Sequence, residues 1–141
     1  MTDTTFRTVL PATKAIDLGD STYAMAYKEK RLPIETPFTG AGNLVVGTNL
    51  IAPGAAFKLV DILLHISSAP TTGVQNLVII KDDGVAAAYD LVILTLDLVA
   101  NAIVDLRIEP NLLCKATDVI TAAWTNTNAR TYGLIFKHEL V

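Results

Sequence analysis

The chain has 141 residues and a mass of 15.1 kDa, one domain's worth of sequence and enough to bury a sizeable core without disulfides or metal. Apolar residues make up 51% of the chain and charged residues 18%, which excludes an intrinsically disordered protein. The net charge is −3 and there are no basic blocks, so the electrostatic footprint of a nucleic-acid-binding protein is absent.

The first forty residues differ in texture from the rest. Residues 1–40 contain five basic and five acidic residues, and their three prolines interrupt any long element. Only Thr22–Lys28 alternates as a strand does. Because this part of the chain is too poor in apolar residues to hold its own core, we predict that 1–40 is an extended arm with one strand and that 41–141 is the folded domain.

From residue 41 onward, short apolar runs alternate with turn-forming residues such as Asp82-Asp83-Gly84 and Pro110-Asn111. The alternation predicts strands at Leu44–Ile51, Phe57–Ile66, Asn76–Lys81, Tyr89–Leu98, Val104–Glu109, Thr117–Asn126 and Tyr132–Lys137. With the strand of the arm, this makes eight. Eight short strands of this spacing predict an all-β fold, an antiparallel β-sandwich of the jelly-roll type.

One segment, 88–106, is also compatible with a buried helix. Asp90, Asp97, Asn101 and Asp105 are spaced so that they would fall on one helical face. However, the segment is rich in β-branched residues, which suit strands, and it lacks a helix-capping box. The sequence therefore favours two strands here and leaves the helix as the alternative.

Several features bear on where the protein is made. Cys114 is the single cysteine and cannot form an intrachain disulfide, and the N-terminus does not have the pattern of a signal peptide. The apolar stretch Val85–Leu106 contains three aspartates, each costing roughly 2.5–3.5 kcal/mol at the centre of a membrane helix. We therefore expect cytoplasmic synthesis and no membrane association. Burial against other subunits would account for the high apolar content.

Motifs that would support catalysis or cofactor binding are weak. The three serines are not in a Gly-x-Ser-x-Gly motif, and His65 and His138 are far apart without metal-ligand spacing. Asp82-Asp83-Gly84 fits a hairpin turn better than a calcium loop. The glycines of 40–47 are not followed by the Lys-Ser/Thr of a phosphate loop. We expect a protein that is not an enzyme and has no cofactor and no metal.

Four residues are candidates for contact with other molecules. Leu59 and Leu63 are predicted on the face of Phe57–Ile66 opposite its main apolar set, so that this strand either meets another subunit or lies under a loop or the arm. Trp124 is the only tryptophan, near a predicted strand end, where it is a core aromatic, an interface anchor or a sugar platform. Tyr132 opens the last predicted strand and completes the candidate set.

Four patches within residues 55–137 have a recognisable pattern: Phe57-Lys58-Leu59-Val60, the run from Leu64 to Thr72, Ala88-Tyr89-Asp90-Leu91 and the run from Trp124 to Leu134. They resemble small structural proteins of tailed bacteriophages. The chain departs from those proteins at Lys115-Ala116-Thr117-Asp118, where they tend to have a glycine in the turn before the penultimate strand. The resemblance implies a β-sandwich virion protein that cements or decorates the capsid, a homotrimer bound to the major capsid protein on the outside of the head.

Two other interpretations remain at this point. The same sandwich would serve as a tail, collar or fibre-base component of the particle. Alternatively, it would be a carbohydrate- or receptor-binding module in which Trp124, Tyr132 and the loop containing Asn126 and Asn128 contact the glycan.

Overall fold

The computed structural model describes residues 32–141, and everything below refers to these residues. They form nine strands: β1 Ile34–Gly40, β2 Leu50–Ile51, β3 Phe57–Ile66, β4 Asn76–Asp82, β5 Leu91–Asp97, β6 Asp105–Ile108, β7 Leu112–Cys114, β8 Val119–Ala123 and β9 Tyr132–Leu140. A single 3₁₀ turn at Ala87–Tyr89 precedes β5. The strand predicted at Thr22–Lys28, with the remainder of the arm up to residue 31, lies outside the described residues.

The strands form two antiparallel sheets. Sheet I has the order β1-β9-β3-β6, with β7 also pairing with β3, and sheet II has the order β2-β8-β4-β5. The chain visits both sheets in turn and its last strand lies between β1 and β3, which is the winding of a jelly roll. The predicted all-β sandwich is therefore confirmed. Strand β1 occupies the last seven residues of the segment predicted as an arm.

The core lies between the two sheets and is filled by the inward side chains of both. Its fully buried members include Phe57, Leu59, Ile62, Ile66, Leu77, Ile79, Ile120, Leu134 and Phe136. Burying each such side chain contributes about 1.5–3 kcal/mol, so this layer is the main source of stability. In β9 the buried and partly exposed residues alternate along its length, as expected for a strand with one face on the core.

A β-bulge in β3 changes which side chains enter the core. Leu59 pairs with His138 and Asp61 with Lys137, so Val60 is an extra residue between them. Because the side-chain period of a strand is two, the extra residue reverses the alternation: Leu59 is fully buried and Val60 only half-buried. The prediction that Leu59 shares a face with Leu63 is therefore wrong, since only Leu63 lies outside the core.

The segment 88–106 forms strands, as the β-branched residues indicated. Its regularly spaced polar residues belong to separate elements rather than to one helical face. The Asp97 carboxylate accepts hydrogen bonds from the amides of Val99 (3.0 Å) and Ala100 (3.3 Å), and the Asn101 side chain donates to the Asp97 carbonyl (2.8 Å). These bonds form the turn after β5, whereas Asp90 precedes β5 and Asp105 begins β6.

Other predicted elements differ in extent. Of the predicted strand Leu44–Ile51, only Leu50–Ile51 is a strand, and Leu44 forms an isolated bridge with Trp124. Between them, the Asn49 side chain accepts a hydrogen bond from the Val45 amide (2.9 Å) and closes a turn. Strands β1 and β7 were not predicted.

His138 makes the stability of the sandwich dependent on pH. Its ring is buried edge-on against Phe57, with the ring centroids 5.7 Å apart, and its Nδ1 has no hydrogen-bond partner. Burial lowers the pKa of His138 below its ordinary value of 6.5, because the protonated ring would lose its hydration. The unfolded chain therefore binds the proton more readily, and stability falls as the pH drops below 6.5.

We expect urea denaturation to show lower stability at pH 5 than at pH 8, by about 1.4 kcal/mol for each pH unit between the unfolded and folded pKa values of His138. The variant His138→Phe should lose most of this difference. His65→Gln, which changes an exposed histidine, should keep it. Equal pH dependence in the wild type and His138→Phe would contradict the assignment.

Candidate functional site

The outer face of sheet I carries a groove of about 520 Å³. Its position follows from the strand register: Leu63 of β3 lies between Arg107 of β6 and Ile135 of β9, and His65 lies between Asp105 and Gly133. These positions are two residues apart along adjacent strands, so their side chains point to the same side of the sheet.

The floor of this groove is apolar and open. Leu63 and Ile135 are half-buried and provide its hydrophobic surface. Gly133 adds no side chain, and a Cβ atom built there would meet nothing within 4 Å. A side chain of a partner molecule therefore has room above Gly133 and apolar neighbours beside it.

Polar and charged side chains border the groove. The His65 Nδ1 and an Asp105 carboxylate oxygen are 2.6 Å apart, and both side chains are largely exposed. The Arg107 guanidinium donates to Asp61 at 3.2 Å and lies 2.8 Å from the Glu109 carboxylate, so two carboxylates share one arginine. The groove therefore presents an apolar centre inside a polar rim.

The four residues predicted from the sequence as contact candidates are divided by the structure. Leu63 lies in the groove. Leu59, Trp124 and Tyr132 are buried in the core, where the Trp124 Nε1 donates to Gln75 (3.2 Å) and the Trp124 and Tyr132 rings pack edge-on at 5.6 Å. These three side chains pack inside the chain and do not offer a surface to a partner, and the two aromatic rings do not form an exposed sugar platform.

The asparagines of the neighbouring loop, Asn126 and Asn128, form hydrogen bonds that connect loops within the protein. The Asn126 side chain accepts from the Arg130 amide (2.9 Å) and donates to the carbonyls of Arg130 (2.7 Å) and Ala41 (3.1 Å). The Asn128 side-chain oxygen Oδ1 accepts from the Gln75 side chain (2.7 Å), which links two loops. Both side-chain amides therefore make hydrogen bonds within the protein, as polar groups in the interior generally do.

The Asp82-Asp83-Gly84 sequence leads into the connection between β4 and β5. One carboxylate oxygen each of Asp82, Asp83 and Asp90 lies within 4.8 Å of the others. Asp82 accepts a hydrogen bond from the Gly84 amide (2.7 Å), Asp83 accepts one from the Val85 amide (3.0 Å), and Gly84 has a φ of +74°. Such side-chain to backbone bonds two residues apart are the bonds of a turn, as the sequence predicted.

Comparisons with protein-family models, with curated proteins and with solved structures found no match to the chain. Within the described residues, no helix has the length and hydropathy needed to cross a membrane.

Four residues of the groove were not among the contact candidates predicted from the sequence: Arg107, Asp105, Gly133 and Ile135. Each lies at an outward position of a strand whose alternation was recognised. The alternation predicts which face of the sheet each residue lies on, but it does not predict which strands are adjacent. The groove arises only when β3 is placed between β6 and β9, which is a property of the sheet order.

Proposed function

We propose that this chain is a structural protein of a bacteriophage virion, a capsid decoration or cement protein that binds the outside of the head. The resemblance of patches within residues 55–137 to phage structural proteins supports this role. The jelly-roll sandwich is consistent with it, because viral capsid proteins use this architecture. Since lectins use it too and a fold does not specify a function, the proposal depends on the surface of the sandwich.

The groove on sheet I is the observation that carries the proposal. Its apolar centre, Leu63 and Ile135, inside a rim of polar side chains has the composition of a protein–protein contact, with a hydrophobic core and a polar border. Arg107 at the rim belongs to a residue type that is enriched in interfaces. An apolar side chain of the major capsid protein would fill the space above Gly133.

Bound in this way, the protein would act mechanically. Contacts made with two neighbouring capsid subunits have to be broken before those subunits separate, so each bound sandwich would raise the force needed to open the shell. The chemistry required is burial of apolar surface within a polar rim, which the groove supplies without a cofactor.

The variant Leu63→Glu tests this role, because it places a carboxylate in the apolar centre of the groove. We expect it to lower the affinity for shells assembled from the virus's own major capsid protein by about tenfold or more, measured by co-sedimentation. Val46→Glu adds the same charge at an exposed valine outside the groove and should bind as the wild type does. Thermal melting of both variants checks that the sandwich remains folded.

Two results would count against the proposal. Undiminished binding of Leu63→Glu would show that the groove is not the contact surface. Wild-type protein that co-sediments with purified tails and not with shells would favour the tail, collar or fibre-base assignment.

A further inference from the structure

Within the part of the chain that the structure describes, strand β5 is an edge of sheet II. It is the last strand in the order β2-β8-β4-β5, and among the described residues only β4 pairs with it. The backbone groups of alternate residues point away from β4, where no other described strand pairs with them. Tyr89, Leu91 and Val92, at and just before the start of this strand, are among the exposed large hydrophobic side chains.

The other edge strands of the sandwich have features that prevent pairing with another chain. Strand β1 contains Pro37 and Glu35, and β2 has only two residues. Strand β6 has four residues, two of them charged, and β7 has three. Between Leu91 and Leu96, β5 has neither a charge nor a proline, and its one bulge, at Ile93, leaves Leu94–Asp97 in continuous register with β4.

We propose that β5 pairs with β5 of a second copy of this chain. The two strands run antiparallel about a two-fold axis at Thr95, so that the two copies of sheet II become one eight-stranded sheet. This register follows the side-chain directions: Leu94 and Leu96 face the core opposite Ile79 and Leu77, whereas Thr95 is exposed. Leu94 then lies opposite Leu96 of the second copy on the core side of the sheet, and the two threonines face each other.

The charges around β5 favour a second copy as the occupant. In this register Asp97 lies opposite Ile93, so no carboxylate faces another carboxylate across the axis. The Asp97 carboxylate already accepts amide hydrogen bonds from the turn after β5. A charged peptide would find no opposite charge along Leu91–Leu96, whereas a second copy of the strand places Leu94 opposite Leu96 and Thr95 opposite Thr95.

This contact is separate from the proposed attachment to a capsid, because it lies on sheet II and the groove lies on sheet I. A two-fold contact closes at two copies, unlike the trimer that the resemblance implies. The measured mass therefore distinguishes the two arrangements: twice 15.1 kDa for the β5 pair and three times 15.1 kDa for the trimer.

The experiment is light scattering after size exclusion on the full chain over a range of concentrations, with Thr95→Lys as the test variant. Two lysines opposite each other across the axis should raise the dissociation constant of the dimer by about tenfold or more. Thr39→Lys is the matched control, because Thr39 is also an exposed threonine on an edge strand, in sheet I. Trp124 fluorescence reports whether each variant is folded.

Disulfide trapping gives a second readout of the register. Cysteine in place of Thr95 lies opposite its own copy and should form a dimer on mild oxidation, since directly opposite Cβ atoms are close enough for a disulfide. Thr39→Cys should remain a monomer in the same experiment, and the native Cys114 is buried and does not compete. A monomeric or trimeric wild type, or equal effects of the Thr95 and Thr39 variants, would overturn the proposal.

Discussion

Trp124→Ala is expected to destabilise the sandwich by about 3–5 kcal/mol, the range for removal of a large buried aromatic side chain. Trp124 is 1% exposed and is one of the largest fully buried side chains. Its removal leaves a cavity beside Tyr132, and it also leaves the Gln75 side-chain oxygen Oε1 without its indole donor. Urea denaturation followed by circular dichroism measures the change, since the variant lacks the tryptophan that would report by fluorescence.

Trp124→Phe separates the two contributions. Phenylalanine keeps most of the ring volume but cannot donate to Gln75, so we expect a smaller loss, about 1–3 kcal/mol. If Trp124→Ala lowered the free energy of unfolding by less than 1 kcal/mol, the core assignment would be wrong. Loss of ligand binding in Trp124→Ala would therefore reflect unfolding rather than a missing sugar contact, whereas Leu63 variants test the surface directly.

The strands with strong alternation could be predicted because one face of each lies on the core. In β6, and from Tyr132 to Phe136 in β9, every second residue is apolar, and this pattern depends only on the strand's own sequence. The side of Leu59 could not be predicted in the same way. It depends on the bulge at Val60, which is defined by pairing with β9, a strand some 75 residues later in the chain.

Strand β1 is a second element that its own sequence does not predict. Its sequence, Ile-Glu-Thr-Pro-Phe-Thr-Gly, has too few apolar residues to indicate a strand, and none of them is fully buried. It is a strand because its backbone pairs with Tyr132–His138 of β9, and its Phe38 packs edge-on against Phe136. Conversely, Leu44–Ile51 has the composition of a strand, but the Asn49–Val45 hydrogen bond stabilises a local turn instead.

Only some features of the groove could be predicted from the sequence of a single strand. The outward orientation of His65 and the partial exposure of Leu63 follow from the alternation of β3 after its bulge. Their neighbours, Arg107 and Ile135, are brought beside them by a sheet order in which strands distant in sequence become adjacent. Short-range patterns do not contain that information, since they specify faces and not partners.

Breaking the ion pair between Lys81 of β4 and Asp118, the residue before β8, is the second change with a large expected effect on stability. The Lys81 ammonium is 2.9 Å from the Asp118 carboxylate, whose side chain is 1% exposed. Burial raises the pKa of Asp118, but the hydrogen bond from the Lys115 amide and the Lys81 ammonium outweigh it, so the pKa lies below its usual value of 3.8. Lys81→Met, which keeps the length of the stem, should lower the free energy of unfolding at pH 7 by about 3–5 kcal/mol, because it leaves a buried charge unpaired.

The pH dependence of this loss identifies its cause. The stabilisation from Asp118 is complete above the unfolded value of 3.8 and is lost as the pH falls through the lower folded value. Without the ammonium, the pKa of Asp118 rises, so the carboxyl takes up a proton at a higher pH and the difference between Lys81→Met and the wild type shrinks as the solution is acidified. The double variant Lys81→Met/Asp118→Leu removes both charges and should recover part of the stability at pH 7, since no buried charge is left unpaired but the Lys115 amide loses its acceptor. A loss in Lys81→Met that is the same at pH 7 and pH 4, and that Asp118→Leu does not relieve, would show that the lysine acts through the packing of its stem and not through its charge.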